Sequence, residues 1–246
     1  MTTIPTLPEE QFAPGNEGCF VLDGGTYRKQ PGISRSMIVE LLRITPAHAQ
    51  TLIDGTWSKP STMPMTGGNL FDRALLEPET FIEGQSHWVI PAGMKLTTVD
   101  GRAWRKDHPG SKEWADGDDG LPYLPAVSDS ATVLSAENVK GMIESVLRHT
   151  KARYIVEAGV KQESAFCLDK DTGLMRKVRP EARIWDNNSR IVLADVKSTF
   201  RGGAVREAWI KHCARMAYHI QDSYSSDVYR DLFERPLYVF IDAAMQ

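Results

Sequence analysis

The sequence predicts a mixed α/β fold: a central mixed β-sheet containing an antiparallel meander, flanked by helices. Three observations lead there. Segments 162–168, 174–185 and 191–197 read as successive strands separated by the turn signals Asp169 to Gly173 and Asp186 to Ser189. Leu237-Tyr238-Val239-Phe240-Ile241 is a continuous apolar run, the pattern of a strand buried on both faces. Helically spaced apolar residues flank the meander, Val139, Met142, Ile143 and Val146 before it and Trp209, Cys213, Ala217, Ile220 and Tyr224 after it.

At 246 residues the chain is expected to form a single domain, 1–246, around one sizeable core. Its 41% hydrophobic and 25% charged residues are those of an ordinary globular protein. A net charge of −3 argues against a general nucleic-acid sponge but leaves room for a local basic groove. The three cysteines, Cys19, Cys167 and Cys213, are scattered without C-x-x-C spacing. They offer no disulfide framework, zinc site or iron–sulfur cluster, and they fit a reducing compartment. No apolar run reaches the roughly 20 residues of a bilayer span. The N-terminus lacks a charged start and apolar core, so a cytoplasmic protein without membrane association is expected.

Taken in order, residues 1–32 are rich in Pro, Gly and acids and read as irregular. Ser34 is placed to cap a helix to Leu42, with Pro46 just past its end. Residues 55–68 read as a loop. A helix follows from about Gly68 to Glu77, with Leu70, Phe71, Ala74 and Leu75 as its apolar stripe and Asp72 in its first turns. There a carboxylate also suits the positive end of the helix dipole. A short strand is expected at His87–Ile90. Segment 92–130 is a loop-rich insertion, either a lid or DNA-facing element or a surface excursion. Ser135 caps a helix to Leu147. After the meander comes a polar link at 198–203, then helix from about 204 to 232, with a break near Arg215 left open.

The chemistry concentrates in the second hairpin. Position 188 lies seven residues from both Glu181 and Asp195. A turn centred there sets the two carboxylates opposite each other, with Cβ atoms roughly 5 Å apart. Alternation puts Lys197 on the face of Asp195. Opposed carboxylates repel unless a cation lies between them, and a hard cation such as Mg²⁺ takes one or two carboxylates plus substrate phosphates. Arg176, Lys177, Arg179 and Arg183, with Arg201 and Arg206 beyond, are candidates to track a nucleic-acid backbone; alternation sets Arg179 and Arg183 on the Glu181 face. Tyr218 and Gln221, three apart, share a helix face.

Six blocks in order resemble the PD-(D/E)XK nuclease superfamily, and within it the RecE-type exonucleases (exonuclease VIII) of phage and prophage recombination. They are Gly32-Ile33-Ser34-Arg35-Ser36 with Pro46-Ala47-His48; Gly68-Asn69-Leu70-Phe71-Asp72 with Leu76-Glu77-Pro78; Asp171-Thr172-Gly173-Leu174; Arg179-Pro180-Glu181; Asp195-Val196-Lys197-Ser198-Thr199; and Tyr218-His219-Ile220-Gln221-Asp222. The resemblance implies a restriction-endonuclease-like core and metal-dependent hydrolysis of DNA phosphodiesters, 5′-to-3′ on duplex ends. It implies Mg²⁺ or Mn²⁺ held by Asp72, Glu181 and Asp195, with Lys197 the catalytic lysine and Tyr218 and Gln221 lining the cleft. Glu163 is implied as a support for the site, against the plain reading of an exposed strand glutamate. DNA, an annealing recombinase and further copies of the chain in a ring are the partners it implies.

The chain departs from that family where relatives carry histidine, here Asp72, and where the acid after proline is aspartate, here Glu181. Ser225 stands where relatives often have tyrosine, with Tyr224 one residue earlier. Relatives commonly continue past the final strand, here followed by Gln246. Two alternatives stay open: a catalytically impaired protein that binds DNA or a host nuclease, and an endonuclease on the same fold.

Overall fold

Pro180 decides how the meander folds. A proline has no N–H to give a ladder, so the predicted 174–185 strand is interrupted there and continues as two. The computed structural model describes residues 6–9, 12–13, 15–54, 63–111, 121–128, 134–186, 190–199, 205–233 and 236–244. Arg201 and the hairpin tip 187–189 lie outside them. The described elements run β1 (Gly18–Val21), α1 (Gly24–Lys29), α2 (Arg35–Leu41), α3 (Pro46–Ile53), α4 (Met63–Leu76), β2 (Trp88–Ile90) and α5 (Val99–Asp107). Next come β3 (Gly110–Ser111), β4 (Leu121–Pro125), α6 (Ala136–Arg148), α7 (Thr150–Ala158), β5 (Val160–Lys161), β6 (Glu163–Leu168) and β7 (Met175–Val178). The chain finishes with β8 (Ala182–Trp185), β9 (Ile191–Thr199), α8 (Arg206–Met216), α9 (Tyr218–Leu232) and β10 (Pro236–Ala244). Among the described residues no helix is long and apolar enough to cross a membrane.

The fold is mixed α/β as predicted, but its strands form three sheets: β1-β6-β7, β10-β9-β8-β5 and β2-β4-β3. Two compact units are distinguishable. One comprises Met1–Ser58, Tyr154–Asp195 and Trp209–Phe240; the other comprises Lys59–Arg153, Val196–Ala208 and Ile241–Gln246.

In the first unit, β6 pairs antiparallel with both β1 and β7. Alternation along β6 sends Ala165 and Cys167 into a core with Val228, Tyr229 and Phe233 of α9. Phe166 goes to the opposite face, with Phe20 and Leu22. Ile191 and Leu193 of β9 join the α9 core, so this helix covers strands of two sheets. The β6–β7 turn is held by Asp169, whose Oδ1 accepts from Thr172 N at 2.9 Å, and by Gly173 at φ 71°, a conformation glycine adopts without Cβ clash.

Polar groups inside this unit are paired. Glu163, 0% exposed, accepts from Arg183 Nε and Nη2 at 2.6 and 2.8 Å and from the Tyr229 hydroxyl at 2.8 Å. Thr6 Oγ1 donates to the same carboxylate. Burial pushes the Glu163 carboxyl up, but the Arg183 hydrogen bonds and charge, helped by the Thr6 and Tyr229 hydroxyls, outweigh it and leave it below the ordinary range. Lys177, 2% exposed, donates to the carbonyls of Tyr27, Arg28 and Gln30, closing the C-terminal end of α1. Desolvation lowers its ammonium to about 8. Arg35 donates to the Met216 and Ala217 carbonyls, and Arg43 to that of Arg215 at 3.0 Å, so two guanidiniums of the α2 region hold the end of α8.

The second unit has a core of Leu70, Ala74, Leu124 and Val139, around parallel pairing of β4 with β2 and β3. Ser135 caps α6 in a reciprocal box with Asn138, at the position the sequence indicates.

Several sequence expectations are corrected. Segment 1–32 holds β1 and α1, capped by Asp23, whose Oδ1 accepts from Gly25 N at 2.7 Å. Segment 92–130 holds α5, β3 and β4. Thr98 caps α5, and a Cβ at Gly101 would meet the Lys95 carbonyl at 2.1 Å, which makes that glycine necessary. Pro46, past the end of α2 as expected, also begins a further helix, α3, where its missing N–H is no loss. Helix α4 starts at Met63, so Asp72 lies in its second half, beyond the reach of the N-terminal dipole.

Two outcomes follow. Arg183→Met, which strands the Glu163 charge, should destabilise the protein by roughly 3–5 kcal/mol in denaturant titrations, with Arg183→Met/Glu163→Gln recovering much of the loss. Because the folded-state Lys177 ammonium sits near 8, below its unfolded value, its contribution to stability is complete above the unfolded value and is lost as pH falls through about 8. Wild-type stability should therefore rise relative to Lys177→Met between about pH 8 and 10.5.

Candidate active site

Strands β8 and β9 pair antiparallel with Ala182 opposite Ala194, Arg183 opposite Leu193, Ile184 opposite Val192 and Trp185 opposite Ile191. Continued by one residue, this register sets Glu181 opposite Asp195. The hairpin is closed at its other end by Asp186, which gives its N–H to the Arg190 carbonyl at 2.9 Å and accepts from Arg190 N at 2.8 Å. The register is the one a turn centred on 188 predicts.

Backbone and helix hold each acid. Gln162 N donates to the Glu181 carbonyl at 3.0 Å, fixing the backbone immediately after Pro180. Glu181 is half-buried, while Asp195 is 3% exposed. Gln221 of α9 donates its Nε2 to Asp195 Oδ1 at 2.9 Å. Residues 191, 193 and 195 alternate onto the strand face that α9 covers, and the N-terminal end of α9 is the end that meets Asp195. A helix start carries partial positive charge, which suits two neighbouring carboxylates. Tyr218, one turn before Gln221 and 6% exposed, shares a hydrogen bond of 3.3 Å with His212 Nε2.

The structure thus brings together Glu181, Asp195, Gln221 and, through α9, Tyr218. Lys197 lies two residues beyond Asp195 on β9, half-buried, on the same strand face by alternation. Asp72 is half-buried in α4, in the second unit.

The proposed basic track looks different once side chains are seen. Arg183 is 4% exposed and its guanidinium is engaged by Glu163, so it is an internal group and not an exposed phosphate contact. Glu163 is correspondingly a buried partner, not an exposed strand glutamate. Arg179 donates to the carbonyls of Gln162 and Leu22 at 3.0 and 3.2 Å. Arg176 pairs with Asp231 at 2.5 Å. Alternation states which face a residue is on, but not that a helix covers that face.

Sequence reasoning missed His212, the hydroxyl partner of Tyr218. Its only signal was an aromatic pair, Trp209 and His212, at helical spacing. Tyr224, displaced from the position where relatives carry tyrosine, gives its hydroxyl to the Ile33 carbonyl, and burial raises that phenol to about 12. It therefore ties α9 to the Gly32-Ile33-Ser34 segment.

Two opposed carboxylates, one of them buried and amide-bonded, form the oxygen donor set that a hard divalent cation takes, and Mg²⁺ needs no more than one or two from protein. The pair fits such an ion. Among the described residues no group of three or more His, Cys, Asp or Glu side chains is gathered to hold one.

No family model matches the chain, and no curated protein does. Among solved structures the chain is similar to a Eubacterium rectale protein described as "Putative exonuclease", with a TM-score of 0.55 and 15% identity, covering 92% of this chain and 74% of that one. At this identity the likeness concerns the fold, a mixed α/β architecture, and it extends over nearly the whole chain.

Proposed function

We propose that the chain is a metal-dependent deoxyribonuclease, acting as a 5′-to-3′ exonuclease on duplex ends within a phage-type recombination system. The observation that carries the reading is the Glu181–Asp195 rung, with Gln221 on Asp195 and Lys197 two residues on. Glu181 and Asp195 would hold Mg²⁺ or Mn²⁺. Bound there, the cation supplies Lewis-acid stabilisation of charge on a phosphoryl oxygen.

The remaining roles belong to the chain's own groups. Gln221 fixes the rotamer of Asp195 by donating to Oδ1. The Lys197 ammonium orients the attacking water and offsets charge that develops on the phosphate. The Tyr218 hydroxyl donates toward the substrate. An annealing recombinase to receive the resected strand and a ring of copies to retain the duplex belong to the same proposal.

The test is digestion of linear and closed circular duplex DNA with Mg²⁺ or Mn²⁺. Wild type should degrade only the linear form, and from the 5′ end. Asp195→Asn and Lys197→Ala should each lose about 10²–10³-fold in rate. Nicking of the circle would instead indicate an endonuclease, and no cleavage with either metal while DNA is still bound would refute catalysis altogether. Gln221→Ala should weaken metal affinity or activity by roughly 10–100-fold, measurable as a rise in the Mn²⁺ concentration giving half-maximal rate.

A further inference from the structure

We infer that Trp209 and His212, backed by the buried ring of Tyr218, form a stacking platform for an unpaired nucleobase at the end of the DNA strand. The inference rests on the deoxyribonuclease reading above and names where that enzyme grips its substrate.

Helix α8 has no fully buried residue, yet it carries two half-exposed aromatic rings one turn apart. Trp209 and His212 stack with centroids 5.6 Å apart and planes at 24°. The ring of Tyr218 closes against both, 6.0 Å from Trp209 and 5.6 Å from His212. A guanidinium has only donors, so His212 Nδ1 must accept from Arg215 Nη2 at 3.2 Å. In the neutral ring Nε2 then carries the proton and donates to the Tyr218 oxygen. Burial, then the Arg215 charge, hold the imidazole below its usual range, so at neutral pH it offers an uncharged aromatic face.

Exposed cations lie on the same helix. Arg176, Lys177, Arg179 and Arg183 are engaged within the first unit, whereas Lys211 and Arg215 of α8 are exposed. Aromatic faces interleaved with cations are the recurring means of holding single strands, because every base has a π-face whatever its sequence. Paired bases inside a duplex are already stacked on both sides, so the platform selects an unpaired terminal base. The position suits that role: Tyr218 is one turn from Gln221, which holds Asp195. Arg35 and Arg43 fix the end of α8, so the platform is rigid relative to α9.

The experiment is binding of fluorescent duplexes with a two-nucleotide single-stranded end in Ca²⁺, in which the unpaired nucleotides either carry bases or are abasic. Wild type should prefer the base-bearing end by roughly 5- to 100-fold. Trp209→Ala should bring that preference close to unity, and Trp209→Phe should keep most of it. A preference that survives Trp209→Ala, or equal affinity of wild type for both ends, overturns the platform and leaves the nuclease reading standing. Failure of wild type to bind either duplex overturns both.

Discussion

The ion pair between Glu163 and Arg183 is the constraint on which the first unit depends. Glu163 belongs to one sheet, Arg183 to another, and Tyr229, bonded to the same carboxylate, belongs to α9. Three elements that hydrophobic contact alone would let slide are thereby keyed to one position. Removing two opposite charges from water is expensive and is offset only when geometry is good and the remaining hydrogen-bonding capacity is filled. Here the guanidinium bonds both carboxylate oxygens, and two hydroxyls complete the set. The key fixes where α9 lies, and α9 in turn carries Gln221 to Asp195. The buried network therefore positions the helix whose Gln221 donates to Asp195.

The break between α8 and α9 shows a second level of the same control. Ala217 adopts a left-handed conformation, φ 55° and ψ 42°, unusual for a residue with a Cβ. Such a conformation persists when its surroundings over-determine it. Arg35 and Arg43 hold the carbonyls on the α8 side, and the Tyr224 hydroxyl holds the Ile33 carbonyl from the α9 side. The Gly32-Ile33-Ser34-Arg35 segment, which in sequence reads as the approach to a helix and as one of the blocks carrying the resemblance, is in the fold a brace for the two helices at the site.

Legibility from sequence followed the range of the interaction. The hairpin register was readable because the Asp/Asn turn signal is local, as is the Asp186–Arg190 closure, and Ser135 was readable as a cap because its partner is three residues away. Helices α5 and α7 were not, because they are short and polar, and α5 owes its place to a Thr98 cap and the close approach at Gly101. Pro180 was visible, but treating Arg179-Pro180-Glu181 as a motif hid its effect as a strand breaker. The burial of Arg183 and Lys177 depends on contacts twenty or more residues away, Glu163 for one and the end of α1 for the other, which no local pattern encodes.

The Asp186–Arg190 closure of the hairpin has a consequence for how this chain can vary over evolution. Side chains alternate with a period of two, so slipping β9 by one residue would turn Asp195 away from α9 and bring a neighbour into its place. The clamp, with its ion pair at 2.7 Å, ties the phase of β9 to that of β8 at a point remote from both acids. Insertions that lengthen the loop beyond the clamp leave this phase alone, whereas a single-residue insertion between the clamp and either acid inverts it. Length changes that lineages can accept are thus confined to the tip, and the five residues from Glu181 to Trp185 and from Ile191 to Asp195 on either side behave as a ruler whose spacing cannot be edited one residue at a time.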